Sequence, residues 1–279
     1  MVRELSSPSL VAWGNAWLAG QAGLDDAVDA VERRTGPNTI GAPMSAPRPG
    51  GAAGTHDPRS AAPAGPPFTR GDTLRSALAR LRPLGLSAFR LCLPVPGDPL
   101  GLVGTADLNA AAIDAREAVL IRLRDRQIGL VPGEDRRGSS YVGVVWTPYP
   151  AADAEPEPVG LAEAEYRLTL AMRESTDLFG RIDDITGWGS EVESALDALR
   201  DPARSPGDGL APGYPQRAHR LAAQADRLAV VVRLAEGDRS DSGRGLSAAQ
   251  VAARREALRV LDSAVRRARV AAYGAACTG

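Results

Sequence analysis

Apolar positions recur along this chain with two different periods, and the change of period divides it. Near the start, Leu10, Trp13 and Trp17 fall at helical spacing, with Ser7 as N-cap, Pro8 at the first helical position and Gly20 at the exit. A second amphipathic run, LDDAVDAVERR, sets Leu24, Ala27, Val28 and Val31 on one face, with Gly36 past its end. Residues 1–35 are thus predicted to be an N-terminal helical pair. Two tryptophans four apart on one face pack into a core or form a surface on which another element docks.

The pattern then vanishes. Between Gly36 and Pro67 there are eight prolines and six glycines in 32 residues, with almost no large apolar side chain. Such a stretch buries too little surface to offset its ordering entropy, so residues 36–68 are predicted to be a disordered linker, His56 included.

Periodicity resumes with a short helix carrying Leu74, Ala77, Leu78 and Leu81, ended by Pro83 and Gly85. SAFRLCLPV reads as a strand, TADLNAAAIDA as a helix from Thr105, and EAVLIRL, QIGLV and YVGVVW as three strands of a meander. Residues 69–150 are therefore an α+β layer with a small, mostly antiparallel sheet.

From Leu161 onward the period is helical throughout. Leu161, Ala164, Leu168, Ala171, Ser175, Leu178 and Ile182 trace a bundle seam. Ser190 and Glu193 form a capping box ahead of Val192, Leu196 and Leu199. A third helix carries Leu221, Ala225, Leu228 and Val232. The last begins at a Ser247–Gln250 capping box with a Leu246–Val251 staple, and runs through Leu258, Leu261, Val265 and Ala268. Turn-rich connections make antiparallel neighbours of these helices. The fold expected is α+β, followed over residues 157–279 by a C-terminal antiparallel four-helix bundle with one short member.

Composition removes several chemistries. All 33 basic residues are arginine, so no phosphate-loop lysine, lysine Schiff base or kinase-type ATP lysine exists. Two histidines, with Cys92 and Cys277 far apart, give neither a zinc spacing nor a disulfide framework. No histidine- or cysteine-based metal site and no cofactor are expected; a site of carboxylates alone stays open. No serine or cysteine stands in a nucleophile setting such as G-x-S-x-G. A net charge of -1 argues against a basic surface over the whole protein. A mixed-charge start and the absence of a long apolar run predict a cytoplasmic chain with no membrane span.

Two loops and one helix hold the candidate chemistry. GDPLGLVGTAD, residues 97–107, follows a strand and opens a helix, a setting in which backbone N–H groups and Thr105 can meet an anion. Its glycine spacing is not the dinucleotide fingerprint, and a structural turn is the plainer reading. GEDRRGSS, residues 133–140, offers Arg136 and Arg137 to grip a carboxylate or phosphate, Ser139 and Ser140 as further donors, and Glu134 or Asp135 as a base. The same stretch reads as a polar hairpin crossing whose charges cancel locally.

In the bundle, residues 151–200 hold twelve acidic side chains against four arginines, while residues 244–270 hold seven arginines against Glu256 and Asp262. Arg255, Arg259 and Arg266 share a stripe of the last helix, and Arg254 falls within its apolar seam, where a carboxylate partner is expected. Pairing inside the bundle is the plain explanation; a surface for nucleic acid is the sharper and weaker one. His219 lies opposite the Leu221/Leu228 seam, on one face with Asp226, and reads as incidental.

The segments LSSPSLVAWGNAWLAG, LCLPVPGDPLGLVG, EDRRGSSYVGVVW and PGYPQRAHRLAAQADRLAVVVRLA resemble those of uncharacterised intracellular proteins of GC-rich, actinomycete-type bacteria. The resemblance spans most of the chain outside the linker and implies no activity, cofactor or site residues. The leading expectation is a non-enzymatic protein whose bundle, together with the Trp13/Trp17 helix, binds another protein or itself. The alternative is a small anionic ligand held by Arg136, Arg137, Ser139, Ser140 and the Thr105 turn, provided those two loops converge.

Overall fold

The computed structural model describes residues 5–42, 67–137, 141–154, 159–183, 210–237 and 247–275. The chain divides into two compact units, residues 1–157 and 158–278.

In the first unit, α1 (Ser7–Leu18) and α2 (Leu24–Thr35) lead into β1 (Asn38–Ile40). After α3 (Leu74–Leu81) come β2 (Ala88–Cys92), α4 (Ala106–Ala115), β3 (Ala118–Arg122), β4 (Gln127–Arg137) and β5 (Tyr141–Pro150). The strand order is β1-β5-β4-β3-β2; only the β1–β5 pairing is parallel, so the sheet is mixed and mostly antiparallel. Side chains alternate across it. Cys92, Ala118 and Leu120 pack with Leu108 and Ala112 of α4 on one face. Phe89 on the other face lies against Gly14 of α1, where a Cβ would come within 2.7 Å of the ring. Coverage of both faces explains why β3 is apolar without alternation and buried from Ala118 to Ile121.

The helical pair is part of this unit and not a separate N-terminal piece. Asn15 of α1 places its amide on the outer edge of β2: Nδ2 donates to the Phe89 carbonyl and the Phe89 N–H donates to Oδ1, each at 2.9 Å. One side chain thereby satisfies the backbone groups that an edge strand would otherwise expose there. The start of α1 differs from the predicted cap. Ser6 is the N-cap and makes no side-chain cap bond, Ser7 is the first helical residue, and the Ser7 N–H donates to Oε2 of Glu117 at 2.7 Å. Glu117 is fully buried, so a carboxylate 110 positions along the chain does the capping.

The predicted linker also begins later than Gly36. Residues 38–40 form β1, and Asn38 is buried because every polar atom of its amide is used. Its Nδ2 donates to Thr35 Oγ1 and the Gly36 carbonyl, both at 2.7 Å, and its Oδ1 accepts from Nε1 of the buried Trp146 at 2.7 Å. A three-residue strand is too short to show an alternation, which is why the pattern concealed it. Close approach of the backbones requires glycine at Gly143, where a Cβ would sit 2.5 Å from the Pro37 carbonyl. Phe68, assigned to the linker's far end, is buried as well. The middle of the linker lies outside the described residues.

The second unit holds α5 (Leu161–Asp183), α6 (Gln216–Gly237) and α7 (Ala248–Tyr273). The seam residues Ala164, Leu168, Ala171 and Ser175 of α5 are buried, as are Leu221, Ala225, Leu228 and Val232 of α6 and Leu258, Leu261, Val265 and Ala268 of α7. The Ser247–Gln250 capping box forms as predicted, with bonds of 2.9 and 3.2 Å. Its staple partner Leu246 and the Ser190–Glu193 box lie outside the described residues. The Leu221/Leu228 seam is only part of what α6 buries. Asp226 meets Arg269 of α7 at 2.6 Å and accepts from the Tyr273 hydroxyl at 3.3 Å, so that flank of α6 faces α7 and not solvent. His219, half-buried, stands edge-on to Tyr214 with ring centroids 6.5 Å apart.

Candidate functional site

Strand β4 does not stop at Val131. It continues through Gly133–Arg137 in register with β5, Glu134 opposite Val144 and Arg137 opposite Tyr141. Most of the polar stretch predicted as a loop is therefore ladder. Pro132, a residue that normally argues against a strand interior, is tolerated because the pairing of β4 with β3 has ended at Leu130. Residues two apart share a face of a strand. Arg136 accordingly meets Glu134 at 2.8 Å, and Arg137 holds Asp135 through Nε at 3.1 Å and Nη2 at 2.8 Å. The Arg137 guanidinium also lies 5.3 Å from the centre of the Tyr141 ring. The hydrogen bonds that Arg137 donates to Asp135, followed by the Asp135 charge, raise the Arg137 pKa above its usual value. Both arginines are thus committed to neighbouring groups on an exposed arm. Ser139 and Ser140 lie outside the described residues.

Thr105 stands at the other end of the same hairpin. Its hydroxyl accepts from the Leu108 N–H at 3.4 Å as N-cap of α4 and donates to the Pro150 carbonyl at 3.3 Å. Pro150 pairs with Ile128 and Val142 with Arg136. Eight strand residues, about 27 Å, separate the two places. A composite anion site of Thr105, Arg136 and Arg137 does not form.

Other reactive groups are equally occupied. Cys92 is buried, its Sγ donates to the Gly101 carbonyl at 3.1 Å, and burial pushes the thiol up to about 12. A thiol so placed is a packing group, not a nucleophile. Among the described residues, no three His, Cys, Asp or Glu side chains come together as a metal site. Trp13 and Trp17 are half-buried beside a more deeply buried Leu10, Val11 and Gly14. The Arg82 guanidinium lies 5.0 Å from the centre of the Trp17 ring, so this pair belongs to the first unit's own packing on at least one side.

On α7, Arg259 is bidentate to Glu256 at 2.9 and 2.6 Å, and the hydrogen bond from Arg259 lowers the Glu256 pKa. Arg266 pairs with Asp262 at 2.7 Å. Arg255 is exposed. The predicted basic stripe is therefore largely neutralised within its own helix, a weak start for phosphate binding. Arg254 is 2% exposed, as its place in the seam requires.

What periodicity did not flag lies on α5. Tyr166 is 69% exposed and Leu170, one turn on, is 42% exposed. Beside them runs an open groove of about 460 Å³ bordered by Thr169, Met172, Arg173, Thr176, Asp177 and Gln224. The seam selects residues that face inward, so the spacing that finds α5 gives no weight to apolar residues on its far side.

Two family models match the chain: "Rv1486c-like protein, N-terminal domain" over residues 7–160 and "Rv1486c-like protein, C-terminal domain" over residues 162–270. Uncharacterized protein ML1804 of Mycobacterium leprae (strain TN) is 30% identical over 315 residues, covering 96% of this chain and 96% of its own. Uncharacterized protein Rv1486c of Mycobacterium tuberculosis (strain ATCC 25618 / H37Rv) is 30% identical over 299 residues with the same coverage of both. No solved structure matches the chain.

Proposed function

This chain belongs to the Rv1486c-like protein family, and from that premise we propose that it works without catalysis, as an interaction module whose helical bundle binds another protein or a second copy. The observation that carries this reading is the exposed Tyr166–Leu170 pair on α5. Aromatic and aliphatic side chains one turn apart on an outer helix face are what a partner's apolar face requires. The polar candidates favour it by default, since Arg136, Arg137, Thr105, Arg259 and Arg266 all serve internal contacts. The compartment proposed is the cytoplasm, in keeping with a buried free thiol at Cys92 and with no described helix long and apolar enough to cross a membrane.

A photo-crosslinking residue at position 166 or 170, with position 107 on α4 as control, tests this in cells. Discrete adducts at the mass of a dimer or of one other protein, from 166 and 170 but not from 107, are expected. Adducts absent, or equally abundant from all three positions, would contradict it.

A further inference from the structure

We propose that the partner on the outer face of α5 is a second copy of this chain, docked antiparallel through the same face of its own α5. This rests on the proposed role of the Tyr166–Leu170 face as a docking surface and commits that surface to one occupant. Ala164, Leu168, Ala171 and Ser175 turn one side of α5 into its unit, and all four are buried. On the opposite side Glu163, Tyr166, Leu170, Arg173 and Asp177 are all exposed. These five lie alternately three and four apart, which is the a/d stripe of a coiled coil. The helix thus carries a second seam, and no described residue covers it. Its centre is apolar and its ends are charged.

A two-fold dimer needs a patch that is complementary to itself. The stripe meets that requirement about Leu168. Tyr166 and Leu170 lie equally far on either side of it, and so do Glu163 and Arg173. When two such stripes run antiparallel, each a position meets a d position. Crossing at Leu168 therefore stacks Tyr166 on the partner's Leu170, and Leu170 on the partner's Tyr166, as two central apolar layers. Glu163 then faces the partner's Arg173 at one end, and Arg173 faces the partner's Glu163 at the other. Arg173 makes no ion pair among the described residues, so its charge is open to such a contact. Glu163 meets Arg167 at 2.6 Å, an exposed pair one turn apart that costs little to share. Other alignments fail on charge. Parallel helices would set Glu163 against the partner's Glu163 and Arg173 against the partner's Arg173. A slip of one heptad would set Tyr166 against the partner's Asp177 and Leu170 against the partner's Arg173, splitting the apolar centre.

Charge exchange tests both the occupant and the alignment, read by sedimentation velocity of the purified full chain over a concentration series. Wild type is expected to show a monomer–dimer equilibrium. Glu163→Arg and Arg173→Glu each put like charges into both end layers. Each is expected to weaken dimerisation about tenfold or more while leaving the helical circular dichroism unchanged. An equimolar mixture of the two restores opposite charges in every end layer, and dimers are expected to return. The doubly exchanged Glu163→Arg/Arg173→Glu chain is expected to dimerise by itself. A dimer indifferent to the single exchanges, or a mixture and a doubly exchanged chain that stay monomeric, would overturn the proposal. A monomeric wild type whose position 166 still crosslinks to one other protein would overturn the second copy alone. A monomeric wild type without adducts would overturn the docking surface as well.

Discussion

Glu117→Ala is expected to lower the thermal midpoint of the first unit by about 8 °C, from a loss of about 3 kcal/mol. The first N–H groups of a helix have no intrahelical acceptor, and Ser6 supplies no side-chain oxygen. Glu117 Oε2 accepts from the Ser7 N–H at 2.7 Å in a fully buried setting, and its charge faces the positive end of the helix dipole. Truncation removes acceptor and charge together and leaves a buried donor unsatisfied. Glu117→Gln keeps an acceptor without the charge and should fall between Ala and wild type. Calorimetry of the three proteins checks the order. A wild-type midpoint for Glu117→Ala would mean that the contact caps nothing.

Arg254→Glu is expected to destabilise the second unit by about 4 kcal/mol, and Arg254→Leu far less. The side chain is 2% exposed between buried Ala257, Leu258 and Leu261. A guanidinium there has to be met by acceptors, and the acidic helices of the bundle make a carboxylate the expected one. Leucine replaces charge with apolar volume in an apolar seam, a change that buried ion pairs often tolerate. Glutamate places a negative charge where a positive one was matched. Chemical unfolding of both variants gives the order, and Arg254→Leu proving the worse would refute the expectation.

The two periods made most of the architecture legible in advance. Helical spacing located α2, α3 and α7 with their buried faces, and the caps at Thr105 and Ser247 lie where hydroxyl residues preceded apolar runs. What stayed hidden depends on contacts between distant residues. Gly133–Arg137 reads as a loop because charges dominate it and Pro132 precedes it, yet these residues pair with β5 on an arm that β3 no longer flanks. Asn15 on the edge of β2, Glu117 at the start of α1 and Asn38 beneath Trp146 are polar residues placed by the fold itself. No local spacing marks such residues. The candidate site shows the same division. Arg136 and Arg137 were conspicuous as types, but their i, i+2 partners became evident only once the stretch proved to be a strand.

The most direct test of an interaction module without a ligand site is native mass spectrometry of the tagged chain isolated gently from its host. Wild type would run beside Arg136→Ala/Arg137→Ala and Tyr166→Glu/Leu170→Glu. A protein complex or a multimer is expected in wild type, unchanged by the arginine substitutions and lost with the Tyr166/Leu170 pair. A small-mass adduct that disappears with Arg136→Ala/Arg137→Ala, or a bare monomer in all three, would contradict it.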